Sequence, residues 1–433
     1  MNAPQRKGHC TQIMRTFTLE TLERSVFDKF SSEHPQGNFQ QSSAMGQLRA
    51  SLGARLEYLG VREGGRLVAA GMLEVHKSRL STFAVVHDGP LCDYHDQELL
   101  SFFLRALRLR AREAGASQLE LTPEVVYQLR NADGRPVPGS PADDRTVSSL
   151  TLAGYIHEGL TTGYGAVPRW RFVKDLSGIK DEKGLVASYA KSTKRNVRIA
   201  LSSGVKVQRA TRDQLGTFHD ICELSCEKQG FENHETSYYE AMFDALADAV
   251  EFNIAYIDSR EYLESWIQKR DEYQAECEAL SKSLQTARTP EKVQKKLDDM
   301  SSKHEASLRR VEDAKAYIRD DGEWIPAAAA AFAWHERECV YLFSGSDPKY
   351  AKFYAATAIQ HSQMLSCIER GCARYNFYGI NGVFDDPQDP GRGLLEFKQG
   401  FGGFVEEMVG TFTLPVRPLV FAAKQLAHRI LRR

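Results

Sequence analysis

The stretch YLESWIQKRDEYQAECEALSKSLQTARTPEKVQKKLDDMSSKHEASLRRVEDAKAYI, residues 262–318, decides how this chain is organised. Leu263, Trp266, Arg270, Tyr273, Cys277, Leu280, Leu284 and Ala287 follow one another in steps of three and four, a helical seam with Arg270 as its only charged interruption. Val293, Leu297, Met300, His304, Ser307, Val311, Ala314 and Ile318 resume the spacing after Arg288-Thr289-Pro290-Glu291. In that break Thr289 suits a helix cap and Pro290 the first helical position. The break reverses the chain, so the stretch predicts two long helices folded back on each other. At about 1.5 Å per residue, 25 residues extend roughly 37 Å, and only the facing stripes are apolar, which describes a narrow, solvated arm. From Arg260 to Arg319 there are 13 Lys or Arg and 12 Asp or Glu, a solvated balance rather than a basic arm. Arg288, Lys292, Lys295 and Lys296 cluster near the tip, where they either meet nucleic-acid phosphates or simply face water.

Outward from the arm the pattern is mixed α/β. Phe252 to Ile257 reads as a strand running directly into it, and Ala327 to Trp334 with Val340 to Ser344 as a strand pair that resumes the sheet, so the arm is an insertion. Before it, a helix is expected from Gly184 through Leu201, a strand over Val205 to Arg209 and helices over Arg212 to Gln229 and Ser237 to Ala249. After it come a helix over Tyr350 to Arg370, a strand over Tyr375 to Tyr378, a Gly-, Pro- and Asp-rich loop over Val383 to Leu394, and a strand over Phe404 to Phe412. The N-terminal half repeats the theme: a helix over Leu19 to Phe30, strands Leu56 to Val61 and Arg66 to Val75 about the Glu63-Gly64-Gly65 turn, a strand over Thr82 to Val86, and a helix over Gln97 to Ala114. Leu119 to Thr122 returns as a strand, Asn131 to Asp144 is a surface loop, and Trp170 to Leu176 is a further strand. Two similar α/β halves around a cleft are the expected architecture.

The chain has 433 residues, a net charge of -1 and eight cysteines. That length supports two substantial cores besides the arm. No apolar run is long enough to span a bilayer, and Met1 to Thr16 lacks the apolar centre of a secretory signal, so a cytoplasmic location with the cysteines as thiols is expected. Cys222 with Cys226, and Cys367 with Cys372, have no second half that would complete a zinc site, and neither a metal nor a cofactor is expected. Near the end, Leu419, Val420, Ala423, Leu426, Ala427 and Ile430 form a helical stripe opposite Lys424, Arg429, Arg432 and Arg433. Such a helix either packs on its domain or rests on the anionic inner face of a membrane.

The strongest chemical signal is Leu395-Glu396-Phe397-Lys398-Gln399-Gly400-Phe401-Gly402-Gly403, a lysine flanked by aromatics and followed by glycines that allow close backbone approach. With Asn38-Phe39-Gln40-Gln41-Ser42, His87-Asp88-Gly89-Pro90-Leu91-Cys92-Asp93, Lys191-Ser192-Thr193-Lys194-Arg195-Asn196 and Tyr375-Asn376-Phe377-Tyr378-Gly379, it makes the chain resemble, over nearly its whole length, the FemABX (Fem) peptidyltransferases. That family builds the interpeptide bridge of peptidoglycan. The resemblance implies two acetyltransferase-like (GNAT-type) α/β domains with an antiparallel coiled-coil arm inserted in the second, similar to the tRNA-binding arm of seryl-tRNA synthetases. The expected boundaries are 14–180 joined by 396–433 for the first domain, 181–258 with 319–395 for the second, and 259–318 for the arm.

The same resemblance implies that a small amino acid (Ala, Ser or Gly) passes from aminoacyl-tRNA to the side-chain amine of the diamino residue in a UDP-linked or lipid-linked precursor. Lys398 is then the catalytic cation, with Phe397 beside it, because an amine attacking an ester generates a negative oxygen that a positioned cation stabilises. Asp93, and more weakly Asp88, are implied to face the acceptor peptide. Arg49 stands where relatives tend to have a phosphate-binding lysine, Tyr341 faces the cleft or fills the core, and Arg288, Lys292, Lys295 and Lys296 become tRNA contacts. Two positions depart from the family: His234 stands where an arginine is common, and Asn376 where an aspartate is. The Pro168-Arg169-Trp170-Arg171 cluster suits either a phosphate-bearing substrate or a sheet edge. Two rival functions remain at this stage: an acetyl-CoA-dependent N-acetyltransferase, since Gln399-Gly400-Phe401-Gly402-Gly403 superficially resembles a pyrophosphate loop, and a noncatalytic tRNA-binding or coiled-coil assembly protein.

Overall fold

The structure, a computed structural model, describes residues 15–78, 81–165, 167–229 and 232–431. Phe231, Arg432 and Arg433, and the side chains of Ala427, Arg429 and Ile430, lie outside the described residues. In chain order the elements begin β1 (Phe17–Thr21), α1 (Arg24–Glu33), α2 (Ser43–Ser51), β2 (Arg55–Glu63), β3 (Arg66–Lys77), β4 (Thr82–Val86), α3 (Gln97–Glu113), β5 (Gln118–Leu121), β6 (Val126–Asn131), α4 (Asp144–Leu152) and β7 (Ile156–His157). They continue with β8 (Trp170–Asp175), α5 (Glu182–Ala187), α6 (Lys191–Ser202), β9 (Val205–Arg209), α7 (Leu215–Gln229), α8 (Thr236–Leu246), β10 (Val250–Asp258), α9 (Ser259–Leu284) and α10 (Pro290–Asp321). The remainder are β11 (Trp324–His335), β12 (Glu338–Ser346), α11 (Ala355–Glu369), β13 (Arg374–Ile380), α12 (Arg392–Gln399), β14 (Phe404–Met408), β15 (Phe412–Pro415) and α13 (Pro418–Leu431).

The chain divides into two compact units. The first takes the chain up to Leu129, Val137–Arg169 and the chain from Glu406 onward; the second takes Arg130–Pro136 and Trp170–Val405. In the first, seven strands run β1-β2-β3-β4-β5-β15-β7, antiparallel except for the β4–β5 pair. Helix α3 lies on this sheet because Leu99, Leu100, Phe103, Leu104 and Leu107 recur at helical spacing, and Asp96 caps it by accepting from the Leu99 amide at 3.2 Å. The second sheet runs β6-β14-β8-β13-β12-β11-β10-β9, with a parallel β12–β13 pair, and its core gathers Phe172, Phe332, Tyr375, Phe377 and Phe401.

The arm leaves and rejoins this sheet at one point. Asp258 at the end of β10 pairs with Trp324 at the start of β11, and α9 and α10 fill the interval between these antiparallel neighbours. The expected seam is the observed one: Tyr273, Cys277, Leu280, Leu284, Val293 and Leu297 are half-buried while the residues beside them are exposed. Burial deepens toward the base, where Val311 is buried and Tyr262 and Ala314 join the sheet's core. Pro290 is the first residue of α10 as expected, but the Thr289 side chain makes no capping bond; its backbone carbonyl accepts from the Lys292 amide at 3.2 Å instead.

Several expected elements are displaced or interrupted. The first three residues of the helix expected over Leu19 to Phe30 belong to strand β1, and α1 begins only at Arg24. The single helix expected from Gly184 to Leu201 is two, α5 and α6, broken at Ser188-Tyr189-Ala190. No glycine or proline marks that break; tertiary contacts impose it. Tyr189 is buried edge-on against Phe401 at 5.3 Å, and Lys174 donates to Ser188 Oγ at 2.9 Å and to the Phe401 carbonyl at 2.8 Å. The helix expected from Tyr350 starts as a 3-10 turn over Pro348–Phe353, and Tyr354, at a φ of 54°, separates it from α11. The strand expected over Phe404 to Phe412 divides into β14 and β15 about Gly410, whose φ of 89° suits glycine.

Candidate functional site

Lys398 sits on α12, only 3% exposed. Its Nζ donates to the Phe377 carbonyl at 2.7 Å and the Gly379 carbonyl at 2.6 Å. Both acceptors are available because β13 bulges against β8: the register passes from Asn376 opposite Val173 to Gly379 opposite Arg171, with Tyr378 at a φ of 60°. Asn376 holds the bulge, its Oδ1 accepting from the Tyr378 amide at 2.8 Å and its Nδ2 donating to Glu338 at 3.1 Å. An aspartate could not make the second bond, so the departure at Asn376 suits its carboxylate neighbour. Burial without a countercharge lowers the Lys398 pKa to about 7, so cation and free amine are both accessible near neutrality.

The glycines after Lys398 end a helix rather than open one. A Cβ at Gly403 would lie 2.3 Å from the Val173 carbonyl, and one at Gly400 2.3 Å from Thr193 Oγ1, so the chain passes directly over β8 and α6 before entering β14. A pyrophosphate loop needs the reverse order, glycines leading into a helix N-terminus.

Phe397 and Tyr341 line one cavity of about 160 Å³, together with Ala329, Ala330, Ser344 and Gln360. The void exists because β11 carries alanines where larger side chains would fill it. Tyr341 stacks on Phe332 at 5.6 Å and donates its hydroxyl to Ser344, and burial pushes its pKa up to about 12, so it stays a neutral donor. His234 is elsewhere in the same unit, stacked on Tyr238 at 4.1 Å with its edge toward Phe343. That packing lowers its pKa, which disfavours the charge an arginine would carry.

The first-unit candidates are engaged with the protein itself. Arg49 is buried, its guanidinium bound to Glu74 and to the Gln40 side chain. The Asn38-to-Ser42 and His87-to-Asp93 motifs meet each other: Asn38 donates to the Asp88 carbonyl at 2.8 Å, and Gln41 donates to the His87 carbonyl while accepting from the Met72 amide at 2.9 Å. Asp88 is buried at a φ of 44° with its amide donating to Thr122 Oγ1 at 2.9 Å. Asp93 is exposed and accepts from the His95 amide at 2.8 Å, the bond of a turn former leading into α3. On the arm, Arg288, Lys292, Lys295 and Lys296 are all exposed.

A model of the FemAB family matches residues 22–429. The chain belongs to the FemAB family. It is 27% identical over 399 residues to aminoacyltransferase FemA of Staphylococcus epidermidis, covering 91% of this chain and 95% of that one. It is 26% identical over 407 residues to aminoacyltransferase FemA of Staphylococcus aureus, covering 93% and 96%. The crystal structure of FemX superposes with a TM-score of 0.74 at 22% identity, covering 93% of this chain and 98% of that one, and shows the same fold. In line with these relatives, this FemAB protein is an aminoacyltransferase.

Sequence reading missed a second buried lysine in this FemAB protein. Lys174, 4% exposed, has its pKa lowered to about 8 by burial and ties β8 to the α5–α6 break and to the end of α12. A lysine in a strand reads as a solvent-facing residue, but Trp170-Arg171-Phe172-Val173-Lys174 is buried on both faces. Gln360, buried with its Oε1 accepting from Tyr375 at 2.7 Å, was hidden within a helix whose polar residues Thr357, His361 and Gln363 are buried as well.

Proposed function

We propose that this protein transfers a small amino acid from aminoacyl-tRNA to the side-chain amine of the diamino residue in a peptidoglycan precursor, in the cytoplasm, as a step of interpeptide-bridge formation. The observation that carries the reading is Lys398: a fully buried amine held by two backbone carbonyls, next in sequence to Phe397 on the wall of a small cavity, in a chain of the FemAB family. The acceptor nitrogen attacks the ester carbonyl, the bond to the ribose oxygen breaks, and the proton lost by the amine leaves with the tRNA hydroxyl. Two N–H groups of the Lys398 ammonium are spent on carbonyls, and the third is left to stabilise the developing oxyanion. The ester is already activated, so positioning and charge dispersal supply the rest.

The cavity beside Phe397 is small, about 160 Å³, which favours Gly, Ala or Ser as the amino acid transferred. Among the described residues no helix is long and apolar enough to cross a membrane, while Leu419, Val420 and Leu426 of α13 are exposed, which favours a lipid-linked acceptor reached by peripheral contact. The test is to incubate purified protein with radiolabelled aminoacyl-tRNAs and both nucleotide-linked and lipid-linked precursors. Label on the muropeptide, lost in folded Lys398→Met, is the expected result; no transfer with any donor rejects the reading, and wild-type transfer by Lys398→Met rejects the mechanism.

A further inference from the structure

The break between α5 and α6 opens a concavity of about 800 Å³ lined by Val186 of α5 and by Lys191, Ser192, Lys194, Arg195 and Arg198 of α6. The four cations fall at i, i+3, i+4 and i+7, one face of the helix, and extend about 10 Å along it at about 1.5 Å per residue. No carboxylate lines the groove among the described residues. Lys194 donates to the Ala187 carbonyl at 2.9 Å and Arg195 to Asn196 at 3.4 Å, neither of them an acid. Several cations elsewhere on this surface meet carboxylates, as Arg212 does with Asp244, Lys206 with Glu261 and Lys349 with Asp321. Helix α6 also begins at Ala190 with no side-chain cap and no acidic residue in its first turn. Like charges at these spacings each oppose the helix by a few tenths of a kcal/mol, so the pattern does not serve the fold.

The groove adjoins the reaction centre through the backbone. The Ala190 amide donates to the Gly400 carbonyl at 2.9 Å, two residues beyond Lys398, and Thr193 packs against Gly400 itself. We propose, resting on the donor assigned above, that this groove of the second unit holds the phosphodiester backbone of the RNA close to its aminoacyl end. A face of about 10 Å covers about three phosphates at about 3.4 Å per nucleotide along one strand, more than a pyrophosphate presents. The uncapped first turn of α6 adds its positive end to the same site. The arm tip, with the same number of cations at Arg288 and on the exposed first turns of α10, contributes less.

The test measures uncharged tRNA binding by fluorescence anisotropy across a salt series, for wild type, for Lys191→Ala/Arg195→Ala/Arg198→Ala and for Lys292→Ala/Lys295→Ala/Lys296→Ala. The groove variant is expected to bind at least tenfold more weakly and to flatten the dependence of log K on log salt by about 2, from about 0.7 per lost phosphate contact; the arm variant loses less. In transfer assays the groove variant raises the KM for aminoacyl-tRNA and leaves kcat nearly unchanged. Swapping the cations, with Lys191→Arg/Arg195→Lys/Arg198→Lys, keeps affinity within about threefold. Wild-type tRNA binding by the folded groove variant, with transfer by wild type intact, overturns this site and leaves the function standing. Loss of binding only to a nucleotide-linked precursor or to anionic vesicles, or a larger loss from the arm variant, overturns it as well. Failure of wild type itself to bind tRNA and to transfer defeats the donor assignment.

Discussion

Arg49 and Lys398 are both buried cations, one in each unit, and the protein answers their burial in opposite ways. Arg49 meets the Glu74 carboxylate and the Gln40 side chain, a closed set in which the charge is compensated. Lys398 meets only carbonyl dipoles, and its pKa is lowered to about 7. Compensated burial fixes a conformation; uncompensated burial leaves a group whose charge state can change during a reaction. On the function proposed above, the contrast favours a structural role for the first and a chemical role for the second, although family motifs singled out both.

The largest effect is expected at the closed set. Glu74→Ala strands the Arg49 charge in a buried site and should lower stability by about 3–5 kcal/mol in urea unfolding, whereas Arg49→Met/Glu74→Leu should recover most of it. An unchanged midpoint for Glu74→Ala would erase the distinction between the two regions. Next, Lys398→Met should reduce kcat about 10²–10³-fold, the cost of removing one oxyanion donor, or about 2.7–4 kcal/mol of barrier. Lys398→Arg, charged at all working pH, should remove any loss of rate that wild type shows as pH rises through about 7.

The third prediction concerns pH and stability. A lysine with its pKa lowered to about 7 in the folded protein and near 10.4 unfolded binds fewer protons folded than unfolded between those values, so stability rises with pH across that window. Lys174, lowered to about 8, acts in the same sense. From pH 7 to pH 9, Lys398→Met should gain about 2 kcal/mol less stability than wild type; equal gains would mean the amine is not desolvated. The smallest effect is expected from Tyr341→Phe, which removes the hydroxyl donated to Ser344 at a cost of about 0.5–1.5 kcal/mol and should alter kcat only severalfold.

Much of this molecule was legible in the sequence where local periodicity matched the final environment. The seam from Leu263 to Ile318 is apolar at the spacing its partner helix requires, and the strand into the arm, Phe252 to Ile257, is apolar apart from Asn253 because β10 is buried on both faces. Legibility failed where distant residues overruled local preference. Ser188-Tyr189-Ala190 has no breaker, yet Lys174 and Phe401 pull it out of the helix, and that displacement creates the basic groove. Lys398 was identifiable from its glycines and from family resemblance, but its two carbonyl partners depend on a bulge in β13 of which Gly379 within the strand is the one hint. Arg49 looked available for a phosphate because Glu74, 25 positions away, was not visible as its partner.

Because Asp258 and Trp324 face each other across neighbouring strands, the sheet sees the arm as nothing more than a hairpin loop, however many residues it contains. Its base is anchored by Tyr262 and Ala314, and everything beyond is a two-helix rod whose length the rest of the protein does not sense. Cutting matched heptads from Arg270 outward on α9 and from the facing part of α10 therefore changes reach in steps of about 10 Å without touching strand register. The arm is an adjustable ruler, and a series of shortened variants would measure the distance to whatever it meets.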